Sequence, residues 1–275
     1  MQCACTLEAT APKAGNVYPG QEFDDLGVTD FLAAASVCGT TLDRAAEHSI
    51  GELILQCVQQ SRAVTRSNAN LGIVLLMAPL AKAAAAIEPV RDATALRCQL
   101  QQQLEALTPE DGRLVFEAIR IAAAGGLGDA NSQDVRTTQK NVDLMEAMRT
   151  GQDRDKIAEQ YSTGFQFLFE TVVPCLRNAI EDEGDRLRGI TRGQIELLAG
   201  HVDTLIQRKC GAATAKEAMR RARTVNEAHG WRAESPDWIE FNQWLRSDGN
   251  RRNPGTTADL IAAGLFVLIY SGISK

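Results

Sequence analysis

Two stretches limit the fold before any other feature does: "LGIVLLMAPLAKAAAAI" at 71–87 and "ADLIAAGLFVLIYSGI" at 258–273. Each is apolar all round a helical wheel, so neither suits a surface helix with one wet face. Neither is suited to cross a bilayer. The first carries Pro79 and Lys82, and the second, with Asp259 at its start, is shorter than the ~20 apolar residues a span requires. Both are expected as helices buried in the centre of a bundle. The rest of the chain must then supply amphipathic helices to cover them.

The remaining pattern agrees. Aromatic residues make up 5% of the 275 residues and alanine is abundant, which suits close helix packing better than a sheet. A helical pattern starts at Thr29. Ser49 with Glu52 three residues on is a capping box, and Ile50, Leu53, Ile54, Cys57 and Val58 then share one face. Asp92 to Leu107 reads as a helix. Thr108-Pro109-Glu110-Asp111 starts another, stopped by Gly125 and Gly126. Further helices are expected over 142–149, 154–181, from Thr191 to Lys209 and from Ala212 to Gly230. Ser235-Pro236 starts one that Gly249 ends, and Thr256 or Thr257 opens the last. The expectation is all-α: one globular multi-helix bundle of about ten helices with buried central helices, forming a single domain over 1–275. No repeat period and no linker divides the chain.

The net charge of −6 argues against a general nucleic-acid footprint. The seven cysteines are odd in number and scattered, several within apolar helical patterns, which reads as free thiols in a reducing cytoplasm. No Cys/His spacing resembles a zinc site. No basic segment followed by an apolar core marks a leader, so neither a membrane nor nucleic acid is expected as a partner.

Polar chemistry gathers in five stretches beside apolar helices: "PKAGNV…FDD", "RSNANLG", "GGLGDANSQD", "DTLIQRKCG" and "RNPGTTAD". Each has a bland reading as a turn or a helix cap. Gly125 to Gly128 follows a helix and lacks the Lys-Ser/Thr of a phosphate loop, so on its own it is a helix stop. His48 and His229 sit at helix ends, and His201 lies mid-helix near Asp203. There is no Ser/His/Asp series, no GxSxG and no HExxH. Taken in order, however, the stretches supply small residues that admit a ligand, with Asn and Asp in greater number than turns need.

In that order they resemble the triphosphoribosyl-dephospho-CoA synthase family. The matching pieces are Glu8 with Pro12-Lys13-Ala14-Gly15, Asp24-Asp25, Asn68-Ala69-Asn70-Leu71-Gly72, Asp203-Thr204 with Arg208, and Asn253-Pro254-Gly255 with Ala258-Asp259-Leu260. The resemblance spans about residues 5 to 272. It implies an all-α transferase in which the 2′-hydroxyl of 3′-dephospho-CoA attacks the anomeric carbon of the ATP ribose. Adenine leaves and the triphosphate stays attached, giving a prosthetic-group precursor. The resemblance implies ATP and dephospho-CoA, or a related cofactor precursor, as substrates, with Mg²⁺ as cofactor. Glu8 and Asp203 become the expected catalytic acceptors of the hydroxyl proton. Lys13, Gly15, Asn68, Asn70, Gly72, Arg208, Asn253 and Gly255 become the expected substrate and phosphate contacts, and Asp24, Asp25 and Asp259 the metal ligands. Such chemistry requires carboxylates near an oxocarbenium-like centre and basic groups on phosphate. A homodimer is left open.

The chain departs from the family pattern at Ala14, where a proline is usual, and at Asn70-Leu71, where a His-Lys pair is usual. These departures admit two alternatives: an ATP-binding enzyme of another cofactor pathway, such as C1-carrier pterin or furan biosynthesis, and a non-catalytic helical binding protein.

Overall fold

Local capping sets most helix starts. The computed structural model describes residues 1–65, 70–123, 143–228 and 230–272. In α3 (Ile50–Val64) the Glu52 amide donates to Ser49 Oγ and the Ser49 amide to Glu52 Oε2, the capping box read from sequence. At α6 (Pro109–Ala123), Thr108 and Asp111 cap each other in the same way. Asp92 caps α5 (Ala93–Glu105) through the Ala95 amide.

Fourteen α-helices are formed among the described residues, more than the ten or so expected. The difference has three sources. α1 (Gln2–Thr10) has no side-chain cap and is held by packing: Ala4, Cys5, Glu8 and Ala9 are buried, and α1 lies against α2 (Val28–Leu42) and α14 (Gly255–Tyr270). The expected 154–181 helix breaks where Gly164 and Phe165 both take positive φ. Its parts are α8 (Lys156–Ser162), a wide turn at Leu168–Val172, and α9 (Val173–Glu183). The fully buried Phe165 ring holds that unusual backbone in place. The expected helix from Thr191 to Lys209 is also two: α10 (Arg186–Gly200) and α11 (Thr204–Cys210). α7 (Leu144–Gly151), α12 (Ala212–Glu227) and α13 (Pro236–Arg246) complete the set. α13 ends before Gly249, and the chain runs extended over Ser247–Asn250. Gly125 and Gly126 lie outside the described residues.

The two apolar runs are the central helices. In α4 (Leu71–Ala86) ten of sixteen residues are buried, and in α14 eleven of sixteen, so both are enclosed by neighbours rather than laid on a surface. They pack on each other. No helix among the described residues is long and apolar enough to cross a membrane. The seven cysteines are free, with Cys5, Cys38 and Cys57 buried. A second, smaller core joins α10, α11, α12 and α13. α10 serves both, giving Ile190 and Leu197 to the large core and Ile195 and Leu198 to the small one.

Pro79 sits inside α4 and has no amide hydrogen for the carbonyl four residues earlier, Leu75 O. The hydroxyl of the fully buried Tyr161 donates to that carbonyl at 2.7 Å. A helix whose proline would otherwise leave a buried acceptor unpaired is repaired by α8. Tyr161→Phe should therefore lower stability by about 1–2 kcal/mol in urea unfolding. In the Pro79→Ala background the same change should cost less, because the amide restored at position 79 supplies the missing donor. Equal costs in both backgrounds would contradict the repair.

Candidate active site

Pro12 to Asn16 is not a tail turn. The segment threads between α10, α13 and the start of α14. Gln194 of α10 accepts from the Ala14 amide (2.8 Å) and donates to Ala14 O (2.9 Å) and Asn16 Oδ1 (2.8 Å). The Gly15 amide donates to Asn242 Oδ1 of α13 at 2.9 Å. Gly15 has φ +74°, and a Cβ there would stand 2.7 Å from Leu245 Cδ1, so both backbone and space demand glycine. Lys13 is fully buried, with its ammonium 3.0 Å from Glu8 Oε1 and also donating to Glu8 O. A buried charge must be paired, and Glu8 is the partner.

This segment forms one side of a cleft of about 300 Å³. Glu8, Asn16 and Asp25 reach it from the N-terminal part, and Leu71 and Gly72 from the first turn of α4. Arg208 and Lys209 come from the end of α11, Asn253 and Gly255 from the turn before α14, and Asp259 from the first turns of α14. Four of the five polar stretches thus meet. The fifth, with its Gly125 to Gly128 run, lies outside the described residues.

Acids and bases are interleaved in the cleft. Arg208 pairs with Asp155, which also caps α8 through the Ile157 amide. Lys209 makes no ion pair among the described residues, and burial pushes its ammonium below its ordinary value. Asp259 has no hydrogen-bond or ion-pair partner among the described residues. Burial, and then the carboxylates of Glu8, Asp203 and Asp155, hold its carboxyl well above the usual range. Its side chain lies so close to α4 that a Cβ on Gly72 would stand 2.0 Å from Asp259 Oδ2, so a larger residue at 72 would displace that carboxylate.

Several expected site residues serve elsewhere. Lys13 does not line the cleft. It is spent on Glu8, which does. Gly15 also stays behind the wall. Asn70 is buried and donates to Ser61 Oγ (3.2 Å) and Cys38 Sγ (3.3 Å), away from the cleft. Asp24 is exposed and outside the cleft lining, whereas its neighbour Asp25 is in it. Asn68 lies outside the described residues. Asp203, expected as a proton acceptor, is buried and has all its near acceptor sites filled. Oδ1 takes the amides of Leu205 (2.9 Å) and Ile206 (3.0 Å), and Oδ2 takes the Thr257 amide and hydroxyl (both 2.8 Å). It caps α11 and ties it to α14. His201 ends α10 and stacks edge-on against Phe167, outside the cleft.

The sequence reading omitted Asn16, Asp155, Lys209, Asn250 and Thr256, all of which line the cleft. Asn16 and Lys209 lie inside stretches already singled out for other residues. Asp155 carries the signal of a helix cap and nothing more.

A family model, described as ATP:dephospho-CoA triphosphoribosyl transferase, matches residues 1–274. The chain belongs to the ATP:dephospho-CoA triphosphoribosyl transferase family. It is therefore a transferase of the triphosphoribosyl-dephospho-CoA synthase type, and membership does not favour the two alternatives. A crystal structure from Archaeoglobus fulgidus, of a protein assigned by name only as a triphosphoribosyl-dephospho-CoA synthase, has the same fold. It is 24% identical, with a TM-score of 0.68, and the match covers 88% of this chain and 99% of that one. No curated protein matches the sequence.

If Asp203 is a structural tie, removing it should cost stability. Asp203→Ala should lose about 2–4 kcal/mol in urea unfolding, from one lost cap and two stranded Thr257 donors. Asp203→Asn keeps one acceptor oxygen and should lose less. A fully stable Asp203→Ala protein without activity would instead restore the catalytic expectation.

Proposed function

We propose that this cleft binds ATP with its triphosphate toward Arg208 and Lys209 and its ribose toward Glu8. The observation that supports this most is the meeting of four separate polar stretches in one cleft lined by both cations and carboxylates. Arg208 and Lys209 are the cleft's two cations, and a triphosphate is the part of the substrate that needs them. Asn253 and Gly255 stand beside them, where small and amide-bearing residues allow phosphate oxygens to approach.

Glu8 faces the reacting carbon in this reading. Breaking the bond from C1′ to the adenine nitrogen develops positive charge on the ribose, which nearby carboxylates stabilise. The electron pair of that bond leaves with adenine as the 2′-hydroxyl oxygen of dephospho-CoA forms the new bond to C1′. Glu8 accepts the hydroxyl proton in this reading. Its Oε1 is held by Lys13 while Oε2 has no donor among the described residues, so its orientation is fixed and one oxygen stays available.

Among the described residues no three His, Cys, Asp or Glu side chains form a metal site by themselves. That fits Mg²⁺, which takes one or two carboxylates and completes its shell with phosphate oxygens and water. Asp25 and Asp259 are the residues that would hold it, since neither has a basic ion-pair partner among the described residues. When bound, the ion would neutralise phosphate charge.

Incubation with ATP, Mg²⁺ and dephospho-CoA should release adenine only when dephospho-CoA is present. Release independent of dephospho-CoA, or none, would reject the reading. Arg208→Ala and Lys209→Ala should each weaken Mg-ATP binding roughly 10- to 100-fold by calorimetry, the loss of one charge-assisted contact.

Asp259 gives a paired expectation. Its folded-state pKa is raised, so its contribution to stability is fully present below the unfolded value and is lost as pH rises through the folded value. At neutral pH the ligand-free Asp259→Asn protein should therefore melt higher, by roughly 2–4 °C. Metal and proton compete for the same carboxylate. Wild-type Mg-ATP affinity should thus fall as pH drops through the raised value, and the Asn variant should bind weakly with a flatter pH profile. A lower melting temperature in the variant would contradict the assigned charge strain.

A further inference from the structure

Asp25 and Asn16 reach the cleft from a segment with little to hold it. Residues 19–22, 24 and 25 are exposed. The segment's own bonds are two tight backbone pairings, Tyr18 with Gln21 and Phe23 with Leu26. Its first residue is fixed, because Asn16 bonds Gln194 and donates to Asn253 Oδ1 at 2.6 Å. Beyond Val17, polar attachment comes mainly from one side chain on another element.

That side chain is Arg246, the last residue of α13. Its Nη2 donates to Asn16 O and to Gln21 O (2.7 Å), and Nη1 to Glu22 O (3.4 Å). The guanidinium also lies 4.7 Å from the centre of the Phe23 ring and 5.9 Å from that of Tyr18. One planar cation thus joins the start of the segment to the far side of its first turn and lies over the aromatic residue that opens the second. A guanidinium can do this and an ammonium cannot, because its donors are fixed in one plane.

The arrangement is costly for a mere turn. Among the described residues Arg246 makes no ion pair with a carboxylate and its Nε is buried without a partner, and burial pushes its basicity down. A turn needs only residues such as Pro and Gly, present here as Pro19-Gly20. A half-buried, unpaired charge makes sense where the position of the segment matters. α13 itself is well anchored, with Trp238, Phe241 and Leu245 in the small core, so it provides a rigid base.

We infer that Arg246 is a positioning residue that holds residues 16–26 as a wall of the cleft, and through Asn16 and Asp25 sets affinity for the phosphate end of the nucleotide. The inference rests on the reading of the cleft given above. Arg246 does not line the cleft and touches no substrate in this account.

The test pairs a backbone measurement with a binding one. Hydrogen exchange on the folded Arg246→Ala protein should show lost protection at the Gln21 and Leu26 amides and none lost in the middle of α13. Mg-ATP affinity should fall about tenfold, with kcat for adenine release changing much less, since misplacing a binding group by a fraction of its contact distance is costly. Arg246→Lys keeps the charge without the planar fork and should fall between the two; it also serves if the alanine variant folds poorly. Unchanged protection at Gln21 and Leu26 overturns the clamp. Lost protection with unchanged Mg-ATP affinity overturns the positioning role. A wild-type protein that binds no Mg-ATP overturns the cleft reading itself, and the exchange result remains interpretable without it.

Discussion

The site depends first on Asp203. A single carboxylate accepts four hydrogen bonds, two from the first turn of α11 and two from Thr257 at the start of α14. The basic residues of the cleft ride on α11, and Asp259 rides on α14. Their relative placement is therefore set by a buried carboxylate whose acceptor sites are filled by these two helices. Burial raises its carboxyl above the ordinary value and the four donors oppose that rise. The charge is tolerable only because every donor is in place. Gln194 performs the matching task on the opposite wall, where it fixes Ala14 and Asn16 against α10.

What the tie holds together is an electrostatic imbalance. Glu8, Asp155, Asp203 and Asp259 bear on one region, and the cations near it are already engaged: Lys13 with Glu8, and Arg208 with Asp155. Asp259 remains without a partner. A core optimised for stability would neutralise or remove such a group, whereas a binding site can keep it for the ligand. The strain is local, because α4 and α14 on either side of it are almost wholly apolar and enclosed.

Signals carried within one turn were legible in the sequence. The caps at Ser49 and Thr108 lie within three residues of the amides they satisfy, and the apolar runs of α4 and α14 admit only an enclosed position. α1 was hidden because nothing local starts it; it is a helix by virtue of what it packs on. The break at Gly164-Phe165 was hidden because a buried ring, not a glycine alone, sustains the second positive φ. In the site, the convergence of the stretches followed from their excess of Asn, Asp and Gly. The partition of roles within them did not. Lys13 and Glu8 are five residues apart across a non-helical turn, so their pairing depends on the path of the chain after Thr10. Asp203 was read within a continuous helix, and a residue assigned to a helix interior is not recognised as a cap.

The departures from the family motif become specific in this light. Asn70 turns toward Ser61 and Cys38, and Leu71 lines the cleft as an apolar side chain. The family motif carries a His-Lys pair at these two positions. With leucine at 71, the first turn of α4 offers no ammonium beside Asp259, against which Gly72 lies. The basic charge of this cleft sits on α11, at Arg208 and Lys209. Ala14 follows the same logic: its amide donates to Gln194, a bond that a proline at this position would not have. The residue at 14 thus serves the path of the chain, and the one at 71 leaves the first turn of α4 without a charge in the cleft.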